Sequence, residues 1–299
     1  MKILLAIDGS TASDRAIELV ATIGWPAGSH VQLVNIADAM LGVYAGMPGV
    51  VVSTEAIEAD MEVDRERRQQ FLGAAAARLE GPGRTVATEI IGGRPASSIV
   101  EAARAAQVDL IVLGSHGRGA LGSAILGSVA AEVVEYAATP VLVVRTPTVS
   151  RLVLADDGSL PAAAAKALLG RMPGFRGLPV RVVSASERHP GWFGWLQPEA
   201  AAEIQSFEEA IQADLKEHES IASASADELS AAGLVADGIA PLGDPAPEIV
   251  RAAETFHADL IVMGTRGQTG FERLLLGSVA RKVLERAHCS VLVVRPRVH

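Results

Sequence analysis

The 299-residue chain has one cysteine, two tyrosines and three tryptophans, and no surplus of basic charge, and each shortage removes a class of function. With Cys289 alone no internal disulfide framework can form, which fits a reducing compartment. Cys289 itself reads as a small buried residue ahead of the last apolar run, with a redox role as the alternative. Lysine and arginine number 26 against 35 aspartates and glutamates, a net charge of −9. Residues 1–149 carry 11 basic and 16 acidic groups and the remainder 15 and 19, so the halves stand at −5 and −4. Neither half offers a basic surface on which a nucleic-acid backbone would settle, and no nucleic-acid partner is expected. Long hydrophobic runs are missing too. The apolar opening at residues 2–7 ends in Asp8-Gly9-Ser10, too soon for a signal sequence or a membrane span, and the expectation is a soluble, cytoplasmic chain without a membrane partner. No G-x-x-x-x-G-K-[ST] occurs, so there is no P-loop lysine.

What the chain does have is one sentence written twice. Gly114-Ser115-His116-Gly117, nine residues and Gly127-Ser128 return as Gly264-Thr265-Arg266-Gly267, nine residues and Gly277-Ser278, 150 positions later. The flanks repeat as well: Asp109-Leu110-Ile111-Val112 against Asp259-Leu260-Ile261-Val262, and Val141-Leu142-Val143-Val144-Arg145 against Val291-Leu292-Val293-Val294-Arg295. Two duplicated domains are therefore expected, 1–148 and 149–299, each with a copy of one site.

Hydrophobic periodicity supplies the fold class. Residues 2–7 form a continuous apolar run, and Ala12, Ala16, Ile17, Leu19, Val20 and Ile23 follow at helical spacing: strand, turn, helix. Further strands are predicted at 31–36, 85–91, 110–113 and 141–144, with helices over 57–79, 95–106 and 128–137 between them. The second half follows the same course from 151–155 through 180–183, a helical stretch over 198–232, and 235–239. Uninterrupted Val, Ile and Leu alternating with helices calls for parallel strands buried on both faces, so each half is an α/β, Rossmann-like domain with a five-stranded parallel sheet flanked by helices. Ligands of such sheets sit at strand carboxyl ends, where Asp8, Asp157 and both glycine sets fall.

The glycine set suits a phosphate. Gly114 ends a strand with bare backbone, Gly117 could supply a positive φ, and Gly127 opens a helix whose free N–H groups attract an anion. Ser128 adds a hydroxyl for a phosphate or for capping the helix; the plainer reading, loop glycines and N-cap serines, is weakened because both copies keep the spacing. The G-x-G-x-x-G match at 117–122 is accidental, since it follows the fourth strand and its counterpart at 267–270 lacks the pattern. Asp-Gly-Ser after the first strand admits both a ligand contact and a turn with a cap. Asp156 beside Asp157 would make the second copy more acidic, weakening a nucleotide or favouring a divalent ion.

Taken together, G-x2-G-x9-G-[ST], an opening strand ending in Asp and a closing Val-Leu-Val-Val-Arg strand resemble the universal stress protein family in its tandem form, over essentially the whole chain. The resemblance implies the adenine nucleotide alpha hydrolase-like fold and the ATP-binding subclass, with magnesium as a companion ion. Carried over by position, Asp8 and Asp157 would contact the ribose or adenine side, and the backbone at Ile36 and Ala185 would read the adenine edge. Gly114, Gly117, Gly127 and Ser128, with Gly264, Gly267, Gly277 and Ser278, would hold ribose and phosphates. His116 and Arg266, and the backbone of Val129 and Val279, would lie near the phosphates. The family also implies pairing through the last strands, 141–144 with 291–294, within one chain or in a homodimer.

The copies are not identical. Residues 271–276, Phe-Glu-Arg-Leu-Leu-Leu, keep a charged pair that 121–126, Leu-Gly-Ser-Ala-Ile-Leu, lack, so two unequal sites are expected. The loops at 40–52 and 190–196, the latter with Trp192 and Trp195, read as a lid or partner contact, or as packing. The charge run 65–68, interleaved with acids, reads as a solvated helix face. No base or nucleophile repeats in both copies, which favours a nucleotide-dependent regulatory binding module in the stress response, with slow ATP hydrolysis or self-phosphorylation on Ser128 or Ser278 the most chemistry expected. The alternative enzyme, an adenylyl-transferring ligase or ATP pyrophosphatase of the wider superfamily, usually carries Ser-Gly-Gly-x-Asp-Ser or His-x-Gly-His on the first turn, and Asp8-Gly9-Ser10-Thr11 is neither. A third reading is a structural dimerisation protein with degenerate sites.

Overall fold

The computed structural model describes residues 1–37, 54–81, 83–117, 126–186, 201–265 and 276–296, with side chains from 61 in the first long helix and from 209 in the second. The chain forms two compact units, Met1–Thr148 and Val149–His299. In the first, elements run β1 (Lys2–Ala6), α1 (Thr11–Thr22), β2 (Ser29–Ala37), α2 (Thr54–Leu79), β3 (Arg84–Gly92), α3 (Pro95–Ala105), β4 (Leu110–Gly114), α4 (Ser128–Tyr136) and β5 (Val141–Val144). In the second they run β6 (Leu152–Ala155), α5 (Leu160–Arg171), β7 (Pro179–Val183), α6 (Ala201–Ala231), β8 (Val235–Ile239), α7 (Pro245–Thr255), β9 (Leu260–Gly264), α8 (Ser278–Arg286) and β10 (Ser290–Val294), with a short 3-10 turn at Pro173–Phe175.

Within the first unit the strand order is β3-β2-β1-β4-β5, every pairing parallel. The second repeats it as β8-β7-β6-β9-β10. Parallel neighbours need crossovers, and the helices that make them cover both faces, so the central strands lose all contact with water. Ile3, Leu4 and Leu5 of β1, and Leu152, Val153 and Leu154 of β6, are fully buried. Each such Leu or Ile stabilises the fold by roughly 1.5–3 kcal/mol on area grounds. The outer strands β3 and β8 are more exposed, with no buried residue in either.

The repeated aspartates ahead of the glycine strands act at the sheet's amino end. Asp109 Oδ2 accepts the Lys2 N–H at 2.7 Å, and Asp259 Oδ2 accepts those of Ser150 at 2.8 Å and Arg151 at 3.2 Å. Each ties the start of one central strand to its neighbour. Both stand at the end of the sheet opposite the glycine loops. No helix among the described residues is long and apolar enough to cross a membrane.

Candidate functional site

Strand order reverses at β1 in the first unit and at β6 in the second, so the crevice beyond the carboxyl ends of β1 and β4, or β6 and β9, is where such a sheet takes a ligand. Asp8 stands two residues past β1. Its Oδ1 accepts the Ser10 N–H at 3.0 Å, Gly9 turns the chain at φ +78°, and Ser10 Oγ caps α1 by accepting the Ser13 N–H at 3.2 Å. Asp157 repeats this device, accepting the Ser159 N–H at 3.1 Å across Gly158 at φ +76°, while Ser159 Oγ accepts the Ala162 N–H at 3.3 Å. One carboxylate oxygen thus serves the turn, and the serine hydroxyl serves the cap. The other oxygen of Asp8 lies at the glycine loop: a Cβ on Gly117 would stand 2.9 Å from Oδ2.

The glycines work differently from the expectation. Gly114 does not keep bare backbone open for a ligand; α1 fills that space, since a Cβ there would meet the Ala12 carbonyl carbon and Cβ, each at 2.8 Å. Gly264 likewise seats the start of α5, with Pro161 Cβ at 2.7 Å. Gly117 is not among the residues of positive φ, so its need for glycine is spatial, next to Asp8. Gly127 has φ −68°, open to any residue, but a Cβ would stand 3.0 Å from His116 Cα. Its absence lets the loop close at a neck, where Gly127 N–H donates to Ser115 O at 2.7 Å and Gly277 N–H to Thr265 O at 2.8 Å. The neck is tied to the sheet because Ser115 and Thr265 donate to Val144 O and Val294 O at 3.0 and 3.1 Å. His116 is part of it, its Nδ1 3.0 Å from Ser115 Oγ and its carbonyl 3.4 Å from Ser10 Oγ.

That neck delivers a helix start without a cap. Gly127 and Gly277 are the N-caps of α4 and α8, and neither helix has a side-chain cap hydrogen bond, as is also true of α3 behind Arg94, whereas α1, α5 and α7 are capped by Ser10, Ser159 and Asp244. Ser128 and Ser278 are therefore not N-caps but first helical residues, both exposed, followed by half-buried Val129 and Val279. Among the described residues no side chain caps these helix starts, so their first-turn N–H groups and the positive end of the helix dipole face the crevice side as sites for an external acceptor in both copies.

The other wall is the end of the second strand. His30 N–H donates to Met1 O and Val34 O accepts from Ile7 N–H, so alternate residues of β2 face β1, and Ile36 directs its backbone past the end of β1. In the second unit Val183 O accepts the Asp156 N–H, which gives Ala185 the same aspect. Reading the charges at 65–68 as solvated misses Arg68, whose side chain is only 24% exposed. From α2 its Nη1 donates to Asn35 Oδ1 at 2.6 Å and to Ile36 O at 3.2 Å, while its Nε donates to Asp64 at 2.6 Å. The same two helix positions, 150 residues on, hold Asp214 and His218: Ser186 Oγ donates to Asp214 at 2.5 Å, and His218 Nδ1 lies 2.8 Å from Ser184 Oγ. That i,i+4 repeat of acid and base is the signal that could have found them.

Asp156 does not acidify the second crevice. It is buried away from it, accepting from Gly158 N–H at 2.9 Å and Ser225 Oγ at 2.8 Å, with Lys166 Nζ at 3.9 Å. Arg266 and Gly267, the differing loop segments 118–125 and 266–275, and Trp192 and Trp195 lie outside the described residues. Among the described residues no group of three His, Cys, Asp or Glu could hold a metal ion.

Against known proteins, the model of the universal stress protein family matches residues 1–145 and again 148–295. A universal stress protein of Mycolicibacterium smegmatis is 28% identical over 99% of this chain and 97% of its own length. One from Methanocaldococcus jannaschii is 66% identical over 53 residues, which are 18% of this chain and 31% of that protein. Among solved structures, a universal stress protein from Archaeoglobus fulgidus superposes with a TM-score of 0.62 at 21% identity, covering 98% of both chains, and that likeness speaks for the fold.

Proposed function

The chain belongs to the universal stress protein family, with one family domain in each half, and from that premise we propose that each crevice binds an adenine nucleotide, ATP in the first instance. The observation that carries the proposal is the uncapped start of α4 and α8, held against the sheet by a glycine neck in both copies. An N-cap serine or aspartate ordinarily satisfies such a helix and is worth about 1 kcal/mol, so a duplicated helix start that forgoes it leaves donors for phosphate oxygens.

The residues present fit a nucleotide. Phosphates would take the N–H groups of Ser128 and Val129, or Ser278 and Val279, with the serine hydroxyls alongside. The ribose would lie toward Asp8 or Asp157, whose turn-forming oxygen is already committed, and the base would meet the backbone of Ile36 or Ala185. Magnesium, if carried, would come on the phosphates, since among the described residues Asp8 or Asp157 alone stands at each strand end, a sparse ligand set for a hard cation. Occupancy would tie the helix start to the strand ends on either side of the crevice. The activity is therefore a regulatory one, a binding module whose surface changes with nucleotide, and slow hydrolysis or self-phosphorylation at Ser128 or Ser278 is secondary to it.

The test is nucleotide content and stoichiometry. Ligand released from freshly purified protein is identified, and ATP with magnesium is titrated by calorimetry into the intact chain and into Gly127→Arg and Gly277→Arg. Two ATP per chain, falling to one in each variant, is the expected result. No adenine nucleotide retained or bound at about millimolar concentration, a binding free energy near −4 kcal/mol, sinks the proposal.

A further inference from the structure

The two copies differ at the wall that would read the base. In the first, the Ile36 carbonyl directed into the crevice already accepts an N–H of Arg68 at 3.2 Å. In the second, no described side chain donates to the Ala185 carbonyl, and the corresponding helix position carries His218, which bonds Ser184 instead. The first wall therefore carries a guanidinium, paired with Asp64, on its carbonyl, and the second a backbone acceptor with Asp214 and His218 bonded to the neighbouring serines instead.

The donor inventory gives the consequence. Of the five N–H groups on Arg68, one goes to Asp64 and the two on Nη1 go to Asn35 and Ile36, and among the described residues the pair on Nη2 has no acceptor, which offers it to a ligand or water. A base with a 6-amino group, adenine, would have to share the Ile36 carbonyl with a charged donor and set its own N–H beside that guanidinium. A base with a 6-oxo group would accept from that guanidinium. Burial of the stem and the bonds to Asn35 and Asp64 fix the guanidinium there before any ligand arrives, so the bias costs no reorganisation.

We infer that Arg68 is a specificity-determining residue that shifts the first site away from 6-amino purine nucleotides and toward 6-oxo ones, while the second site keeps the preference for adenine. The inference rests on the proposed nucleotide sites.

The experiment separates the copies. ATP and inosine triphosphate, which differ at the 6-position, are titrated into Gly277→Arg, leaving the first crevice open, and Gly127→Arg, leaving the second. The ratio of ATP to inosine triphosphate affinity is expected to be several-fold lower in the first. Adding Arg68→Met to Gly277→Arg should raise that ratio about tenfold, the worth of one hydrogen bond to a charged group. Arg68→Gln, which keeps a neutral donor for Asn35, is the second variant and should raise it as well. A purely structural role lowers both affinities together and leaves the ratio still. An unchanged ratio in both Arg68 variants overturns the inference while the nucleotide sites stand; absence of all nucleotide binding in both single-site proteins overturns the sites and the inference with them.

Discussion

Asp8 and Gly117 meet so closely that a Cβ on the glycine would stand 2.9 Å from the carboxylate Oδ2, which brings the end of β1 and the glycine loop after β4 to one point. The contact is with the tip of a side chain, so an added methyl can be met by turning the carboxylate instead of the backbone. Gly117→Ala should leave stability within about 1 kcal/mol of wild type, below the usual cost of overpacking. It should weaken ATP at the first crevice about tenfold, because the displaced Asp8 no longer reaches the ribose as a charged acceptor. Urea unfolding and calorimetry on the same sample check both halves, and a large stability loss with unchanged affinity would make Gly117 a packing residue only.

Gly114→Ala should behave in the opposite way. Its Cβ would press on the Ala12 backbone at 2.8 Å, in the first turn of a helix that cannot move without opening the sheet. A cost of about 1–3 kcal/mol is expected from overpacking, and the same for Gly264→Ala against Pro161. The readout is hydrogen exchange in the unit concerned. If either variant is as stable as wild type, glycine at that strand end serves the ligand after all.

Much of this architecture was legible in the chain. Runs such as 110–113 and 141–144 are strands because nothing but Val, Ile and Leu occupies them, and Asp-Gly-Ser turns the chain because glycine at residue 9 takes φ +78°. The site was less legible. A glycine in a motif looks alike whether it makes room for a ligand or for the chain's own helix, and Gly114 and Gly127 turn out to make room for Ala12 and His116. Arg68 was hidden among Arg65, Glu66 and Arg67, where composition suggests water; only the helix phase decides that one arginine of the run turns inward. Asp156 and Asp157 follow β6 directly, and being adjacent does not put them in one place: Asp156 turns into the core against Ser225 while Asp157 serves the turn.

Ser128→Ala and Ser278→Ala separate capping from ligand contact. Both serines are exposed first helical residues, and Gly127 and Gly277 hold the cap positions. Removal should leave stability within about 0.5 kcal/mol, as for a surface substitution. ATP affinity should fall about fivefold per site, the value of one hydroxyl hydrogen bond near 1 kcal/mol. Loss of about 1 kcal/mol of stability instead would show that the hydroxyls hold the helix start.

The second unit sets an ionic cluster, with Asp156 buried and Glu228 exposed, on positions where the first has hydrocarbon at its buried end. Lys166 Nζ lies 3.9 Å from buried Asp156, 3.0 Å from Ser225 Oγ and 2.9 Å from Glu228, joining α5 and α6 beneath the second crevice. In the repeat the positions of Asp156, Lys166 and Ser225 are Ile7, Ile17 and Ala75, all buried. Lys166→Met alone strands a carboxylate in the core and should cost about 3 kcal/mol. Asp156→Ile with Lys166→Ile and Ser225→Ala rebuilds the apolar version that the first unit already packs, and should be neutral or stabilising, since desolvation of two charges offsets their attraction. Hydrogen exchange along β6 and α6 reads the second unit separately. A triple variant no better than Lys166→Met would mean that the two copies have diverged in backbone as well as in side chains, and that the ions hold a geometry which hydrocarbon there cannot.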